Sequence, residues 1–173
     1  MLDFKLDGDL AGALEQLDEA LQTQVARAVA HAGALVYYGE ARTLAPVYSG
    51  PARKGIRPGQ LRDAIYRAHS PELSTDTLQI YNISWNPKKA PHGHLVENGH
   101  WRVNVIVRVG NRIAATTELL DKPVWVKPVA FIRRAGDAAP RALEAMQARA
   151  KERVAEVLAD LAKGGPITEA NDE

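Results

Sequence analysis

The hydrophobic pattern indicates a long helix near each end of the chain. Apolar side chains recur at steps of three and four residues over 10–44 and again over 137–162, a spacing that gathers them on one face of a helix. Pro46 follows the first stretch and Gly164-Gly165-Pro166 the second. Proline has no N–H to continue a helix, and glycine commonly ends one. The sequence therefore predicts two long amphipathic helices.

The central region changes to a period of two. Residues 77–85 and 101–109 alternate their side chains and are rich in β-branched and aromatic residues, which is typical of strands with one buried face. Leu61 and Ile65 instead lie four residues apart after Pro58, and proline is common at the first position of a helix. We expect two strands, preceded by a short helix that begins near Pro58.

The stretch from His94 to Gly99 predicts a corner, a single helical turn that Asn98-Gly99 closes before the strand at Trp101. A strand at 124–126 would pair with 101–109 and leave 110–123 as a long excursion. Unstructured loops of that length are uncommon inside a compact domain and are usually functional or mobile. We interpret the excursion as an arm that reaches a neighbouring subunit.

This order of elements indicates an α+β fold, with a small antiparallel sheet packed by a long N-terminal helix and a long C-terminal helix, and with a long hairpin arm. A chain of 173 residues supports one core, so we expect a single domain over 1–163 and a flexible acidic tail over 164–173. The apolar stripe of the first helix either covers the chain's own sheet, the commoner use of such a stripe, or forms a seam between subunits.

Composition narrows the classes of protein. Hydrophobic residues make up 46% of the chain and charged residues 25%, which argues against wholesale disorder. Cysteine is absent, so disulfides and thiolate chemistry are excluded. No run of residues approaches the roughly 18 apolar residues of a membrane span, and the N-terminus is acidic where a signal peptide would be basic. We expect a soluble, intracellular protein with no membrane contact.

The charges are unevenly distributed along the chain. The first thirty residues are acidic although the net charge is only +1, whereas the loop 53–67 is basic. Its cations are Arg53, Lys54, Arg57, Arg62 and Arg67. Such asymmetry suits head-to-tail self-association between acidic and basic faces, and it also suits a small nucleic-acid-binding module that uses 53–67.

A second alternative is a metal-dependent hydrolase. Three imidazoles and a carboxylate lie within nine residues, at His92, His94, Glu97 and His100, and all are possible zinc ligands. Their spacing differs from the His-Glu-x-x-His arrangement that places two imidazoles on one helix face. The chain also lacks a nucleophilic serine elbow and a Gly-Lys-Ser/Thr phosphate loop. We therefore expect no enzyme activity and no cofactor.

Several short motifs, taken in order, resemble the neck or tail-completion proteins of long-tailed bacteriophages and prophages, the minor-tail-protein-Z-like family of the head-to-tail joint. The motifs are Ala45-Pro46, Ser49-Gly50, Leu61-Arg62-Asp63-Ala64-Ile65, Leu95-Val96-Glu97-Asn98-Gly99 and the run from Val126 to Ala135. The resemblance extends from the first helix to Leu161. Here Pro51 to Gln60 separates Ser-Gly from Leu-Arg, and Asn98 replaces the aromatic residue that is usual after the glutamate.

The resemblance implies a structural virion protein that forms a homo-oligomeric ring in the phage neck and is assembled in the host cytoplasm. Its partners would be further copies of itself, portal and adaptor proteins on the head side, tail-terminator or tail-tube proteins, and, transiently, phage DNA in the lumen. Glu97 is a candidate for an ion pair with an arginine of the next subunit. The candidate interface residues are Arg53, Lys54, Arg57, Arg62, Glu97, Trp101, Arg112, Leu119 and Leu120.

Overall fold

The helices that the hydrophobic pattern predicts near the two ends of the chain are present in the computed structural model, which describes residues 10–49, 57–110 and 112–163. The fold is α+β, as predicted. The helices are α1 (Leu10–Ala20), α2 (Ala26–Leu44), α3 (Gln60–Ala64), α4 (Gly93–Asn98), α5 (Phe131–Ala135) and α6 (Ala139–Ala162). The strands are β1 (Ile65–His69), β2 (Tyr81–Trp85), β3 (His100–Val109) and β4 (Arg112–Val126).

Residue contacts divide the chain into two compact units, which we call unit 1 and unit 2. Unit 1 comprises Met1–Val36, His69–Asn82 and Pro140–Glu173, and unit 2 comprises Tyr37–Ala68 and Ile83–Ala139. The single domain expected over 1–163 stays a prediction. The acidic tail expected at 164–173 lies outside the described residues.

The core of unit 1 is helical. Leu21–Val25 forms one π-helical turn between α1 and α2, so the helix predicted over 10–44 is continuous but widened there. The Thr23 hydroxyl donates to the Glu19 carbonyl at 2.7 Å, a side-chain bond of the kind that competes with the helical ladder. The buried residues of this cluster are Ala20, Val25 and Val157, packed against Leu17, Val29, Val154 and Leu161.

Arg153 is a buried cation in the same unit. Its side chain is 3% exposed, and its Nη1 donates to Oε2 of Glu156 at 2.8 Å. Its Nη2 donates to the side-chain oxygen of Gln24. Because a buried guanidinium needs a charged or hydrogen-bonding partner for its donors, these contacts explain how α6 tolerates an arginine between apolar turns.

The core of unit 2 is built around Phe131, which is fully buried. The Trp85 ring lies against it, with ring centroids 5.9 Å apart, a separation typical of favourable aromatic pairs. Burying such a side chain stabilises the fold by about 1.5–3 kcal/mol. The other buried members of the cluster are Ala41, Ala45, Leu61, Ala64, Ile65, Ala90 and Ala135.

The sheet organisation differs from the expected single sheet. Among the described residues, β1 pairs with β2 and β3 pairs with β4, giving two separate two-stranded sheets. The short helix expected from Pro58 ends at Ala64, and β1 begins at Ile65. The four-residue spacing of Leu61 and Ile65 misled the helix prediction, because both side chains are buried on either side of the helix-to-strand boundary. A β-branched Ile followed by Tyr favours a strand there.

The strand expected at 124–126 is confirmed and pairs with β3 as predicted, but it is longer than expected, because β4 begins at Arg112 and includes most of the excursion expected at 110–123. The antiparallel register runs from His100 opposite Val126 to Val109 opposite Arg112, with irregularities on either side of Asn104. Extra residues at such bulges break the alternation of side chains along a strand. The sequence of β4 therefore lacks the clean period of two that identified β3.

Candidate interaction surface

The corner at 94–99 forms as predicted. Its helical turn is α4, and Gly99 connects α4 to β3. Gly99 follows α4 with φ +75°, a conformation that favours glycine. A Cβ at this position would lie 2.7 Å from the Val126 carbonyl oxygen. Glycine is therefore required both by the backbone angle and by the close approach of β4.

Glu97 is buried, with 5% of the residue exposed. Its Oε2 accepts the Ile132 N–H at 2.9 Å, and its Oε1 accepts the Arg133 N–H at 3.2 Å and Nε–H at 3.1 Å. Arg133 Nη2 also donates to the Glu97 carbonyl oxygen at 2.7 Å. The first N–H groups of a helix lack intrahelical partners, so Glu97 performs the capping of α5 from a distant part of the chain.

The ion pair expected for Glu97 is thus formed within the chain. Its partner within the chain is Arg133, and the carboxylate already accepts three hydrogen bonds. Sequence reasoning did not assign a role to Arg133. The sequence holds one signal for the cap of α5. Val129, Ala130 and Phe131, at its start, include no Ser, Thr, Asp or Asn, which are the residues that usually cap a helix. Their absence indicates a cap from elsewhere in the chain.

The histidines near this corner do not assemble with Glu97 into a metal centre. The His94 Nδ1 is 2.8 Å from the Pro91 carbonyl oxygen, and the oxygens of Glu97 are engaged with α5. Across residues 10–49, 57–110 and 112–163, no group of three or more His, Asp or Glu side chains could hold a metal ion. The structure gives no support to a hydrolase built on His92, His94, Glu97 and His100.

The β3–β4 hairpin exposes an unusual amount of apolar side chain. Trp101 is 62% exposed and Leu119 is 67% exposed, whereas Leu120 is half-buried. The Trp101 and Trp125 rings lie opposite each other, with centroids 5.2 Å apart. The exposed large apolar residues of the hairpin are Trp101, Val103, Ile106, Val107, Leu119, Val124, Trp125 and Val126.

The bulged part of the hairpin is fixed by side-chain hydrogen bonds. The Asn104 Nδ2 donates to the Thr116 carbonyl oxygen at 3.1 Å, and the Thr116 hydroxyl donates to the Val105 carbonyl oxygen at 3.0 Å. These bonds replace ladder bonds that the irregular register interrupts. The strands contact each other far more than they contact any other described helix or strand, so the hairpin presents its apolar residues on a defined backbone.

Of the basic residues proposed as an interface, the structure describes the side chains of Arg57 and Arg62. Arg53 and Lys54 lie outside the described residues, as does the side chain of Arg112. Arg57 donates to the Asp63 carboxylate at 2.8 Å, while Arg62 is exposed. The segment 53–67 therefore contains at least one internally paired cation.

Charge separates between the two units more sharply than the linear sequence suggested. Their described residues hold 6 Lys/Arg and 9 Asp/Glu in unit 1, against 13 Lys/Arg and 6 Asp/Glu in unit 2. The described residues of unit 1 therefore hold an excess of acids and those of unit 2 an excess of cations, within one nearly neutral chain.

The comparisons with known proteins identify no relative, because no family model, curated protein or solved structure matches the chain. Within the described part of the chain, no helix combines the length and apolarity needed to cross a membrane.

Proposed function

We propose that this chain is a structural protein of the head-to-tail connector of a long-tailed phage. In this role it forms a neck or tail-completion ring that joins the portal-adaptor complex to the tail, and DNA passes through the lumen. The observation that carries the proposal is the β3–β4 hairpin, whose apolar residues are exposed on a fixed backbone. The order of motifs that resembles tail-completion proteins supports the same assignment.

The exposed surface of the hairpin favours contact with another protein. A two-stranded hairpin is marginally stable on its own in water, and contiguous exposed apolar patches commonly mark interaction sites. Among the described strands, β3 and β4 pair only with each other, so each also has an outer edge available for further contacts. Burial of this hairpin against another protein would therefore cover apolar surface that the isolated chain leaves in water.

A ring requires a heterologous interface, in which one patch on a subunit meets a different patch on the next. The acidic and basic units of this chain supply two surfaces of opposite charge.

The proposed function involves no catalysis. The histidine and glutamate residues that suggested a metal site serve other contacts or remain apart.

The test is deletion of this gene from the phage or prophage genome that carries it, followed by electron microscopy of the lysate. We expect filled heads and complete tails that are not joined, with joining restored by the wild-type chain from a plasmid. Joined, infectious particles in the deletion strain would contradict the proposal, as would particles that lack heads or tails altogether.

The same complementation assay can test the hairpin. Leu119→Ser removes a 67% exposed leucine from β4, and Leu73→Ser removes a 61% exposed leucine outside the hairpin. We expect Leu119→Ser to reduce the number of joined particles at least tenfold and Leu73→Ser to leave it unchanged. Equal effects of the two substitutions would show that the hairpin has no special part in joining.

A second candidate function is nucleic-acid binding, which the excess of cations in unit 2 favours. Binding of this kind releases counterions, so its affinity should fall steeply as salt rises. A band-shift titration with double-stranded and single-stranded DNA at low salt tests it. Failure to retard either DNA would remove this candidate, while a salt-sensitive shift that Arg62→Glu weakens would support it.

A further inference from the structure

The exposed side of α1 combines acidic residues with a leucine. Leu14 is 57% exposed, and Glu15, Asp18 and Glu19 are also exposed. At 100° per residue, these four positions fall within one arc of the helix of about 140°. This arc, which we call the acidic arc, belongs to unit 1, the unit with an excess of acids.

The β3–β4 hairpin, which belongs to unit 2, has a net positive charge. It holds more cations than acids, in addition to its exposed apolar residues. The cations are Arg102, Arg108, Arg112 and Lys122, and the acids are Glu118 and Asp121. The side chains of Arg108 and Lys122 are exposed. The hairpin therefore offers a mixed apolar and basic surface, complementary to a surface that is apolar and acidic.

We propose that the β3–β4 hairpin of one copy of this chain docks on the acidic arc of a second copy. Leu14 would pack among the exposed apolar residues of the hairpin, and Arg108 and Lys122 would face the acids of the arc. The proposal rests on the proposed function, because it names the two surfaces through which a ring would be built. Hairpin against hairpin would instead bring two surfaces with a net positive charge together, which costs free energy.

The resulting interface is heterologous. Each copy has one hairpin and one acidic arc, so each copy can bind two others, and such contacts close into a ring when the rotation between neighbours permits. Complementary charges would also speed the encounter of subunits and make it dependent on ionic strength. Association should therefore weaken as salt is added.

A charge-swap experiment on the full-length chain tests this inference, with sedimentation velocity as the readout. The hairpin variant carries Arg108→Glu and Lys122→Glu, and the arc variant carries Glu15→Lys, Asp18→Lys and Glu19→Lys. We expect each variant alone to weaken self-association at least tenfold. The chain that carries both sets of substitutions should recover association, because its charges are again complementary.

The matched control is Lys88→Glu with Lys89→Glu, which changes the net charge as much as the hairpin variant does but at exposed lysines outside the hairpin. We expect it to retain association. Equal weakening by the control and the hairpin variant, no effect of the arc variant, no recovery in the combined chain, or a wild-type chain that never self-associates would each overturn the inference. Circular dichroism and thermal unfolding confirm that every variant is folded.

The two proposals can fail separately. If wild-type chains associate through other surfaces while the gene deletion still leaves heads and tails unjoined, the docking inference is wrong and the connector function stands. If the deletion strain makes joined particles, the connector function is wrong whatever the charge-swap result. The sedimentation experiment needs no knowledge of the head or tail partners.

Discussion

Arg133 contacts Glu97 through both its backbone and its side chain. The backbone N–H and the Nε–H of Arg133 donate to one carboxylate oxygen of Glu97, at 3.2 and 3.1 Å, and its Nη2 donates to the Glu97 carbonyl oxygen at 2.7 Å. The second carboxylate oxygen accepts the Ile132 N–H. One acidic side chain thus connects α4 to the start of α5, next to the buried Phe131.

We predict that Glu97→Ala lowers the free energy of unfolding by about 2 kcal/mol. The substitution leaves two N–H groups of α5 without their acceptor, and losing a helix cap costs about 0.5–2 kcal/mol. It also removes the ion pair, but the Arg133 side chain is 61% exposed and can turn to water, so this contribution is small. Denaturant unfolding followed by circular dichroism measures the change.

Glu97→Gln is the control for Glu97→Ala. The amide keeps one oxygen as an acceptor and the size of the side chain, so the loss should be about half that of Glu97→Ala. A change below about 0.5 kcal/mol for Glu97→Ala, the range of surface substitutions away from special features, would show that the capping of α5 contributes little to stability.

Alanine substitutions at Gly99 and Gly110 separate the cost of the backbone angle from the cost of steric contact at the corner. Both have positive φ, +75° and +57°, but a Cβ at Gly99 would lie 2.7 Å from the Val126 carbonyl oxygen, whereas at Gly110 no described atom lies within 4 Å. A left-handed conformation costs an L-residue about 1–2 kcal/mol. We expect Gly110→Ala to lose about 1 kcal/mol and Gly99→Ala about 3 kcal/mol. Thermal unfolding of the two variants tests this, and equal losses would contradict the steric argument.

Elements with a regular sequence pattern were predicted from the sequence, whereas elements with an irregular pattern were not. The two long helices, β3 and the turn at Asn98-Gly99 were predicted because periodicity and turn chemistry are local signals. Only the end of β4, at 124–126, was predicted. Its residues 112–123 were missed because bulges opposite Asn104 remove the alternation that identifies a strand. β1 was missed because Leu61 and Ile65 satisfy a helical spacing by coincidence.

The candidate site was predicted less well than the fold. Glu97 was singled out as an interface residue but caps α5 within the chain. Trp101 and Leu119 are exposed, and their part in an interface stays a prediction. The partner of Glu97 lies 36 residues away, and no local pattern specifies which arginine of the chain fills that place. The linear sequence shows an acidic start and a basic segment at 53–67 but not the full separation of charge between the units, because unit 1 is assembled from three distant segments.

Gly93 and Gly39 give a second matched pair, both within helices. A Cβ at Gly93 would lie 2.3 Å from the Trp85 Nε1, whereas at Gly39 no described atom lies within 4 Å. Alanine is a better helix former than glycine by up to about 1 kcal/mol, so Gly39→Ala should stabilise the protein slightly. Gly93→Ala must displace the Trp85 ring from its place beside Phe131, and overpacking costs about 1–3 kcal/mol.

Tryptophan fluorescence together with thermal unfolding can separate these two outcomes. Gly93→Ala should lower the melting temperature and shift the emission maximum, because the Trp85 environment changes. Gly39→Ala should leave the emission unchanged and keep or raise the melting temperature. If Gly93→Ala proved as stable as the wild type, the close packing of α4 against Trp85 would not be a constraint on the fold.

Glu156 makes unit 1 sensitive to acid. Its hydrogen bonds from Arg153 and then Arg149 lower the pKa of its carboxyl below the ordinary value of 4.5. A group whose pKa is lower in the folded state stabilises the protein fully above its unfolded pKa, and this contribution is lost as the pH falls through the folded pKa. The stabilisation by Glu156 should therefore be complete at pH 7 and decline progressively as the pH falls below 4.5.

We predict that Glu156→Gln lowers the free energy of unfolding at pH 7 and that the difference from the wild type narrows as the pH falls below 4.5. Because the Glu156 side chain is 45% exposed, the loss should be about 1 kcal/mol or less. Urea unfolding at intervals between pH 7 and pH 3 measures it. Glu152→Gln is the control, since Glu152 is 66% exposed and lies 3.6 Å from Arg149, so its effect should be smaller. A difference between Glu156→Gln and the wild type that stayed constant with pH would show that the carboxylate charge is not what stabilises this turn of α6.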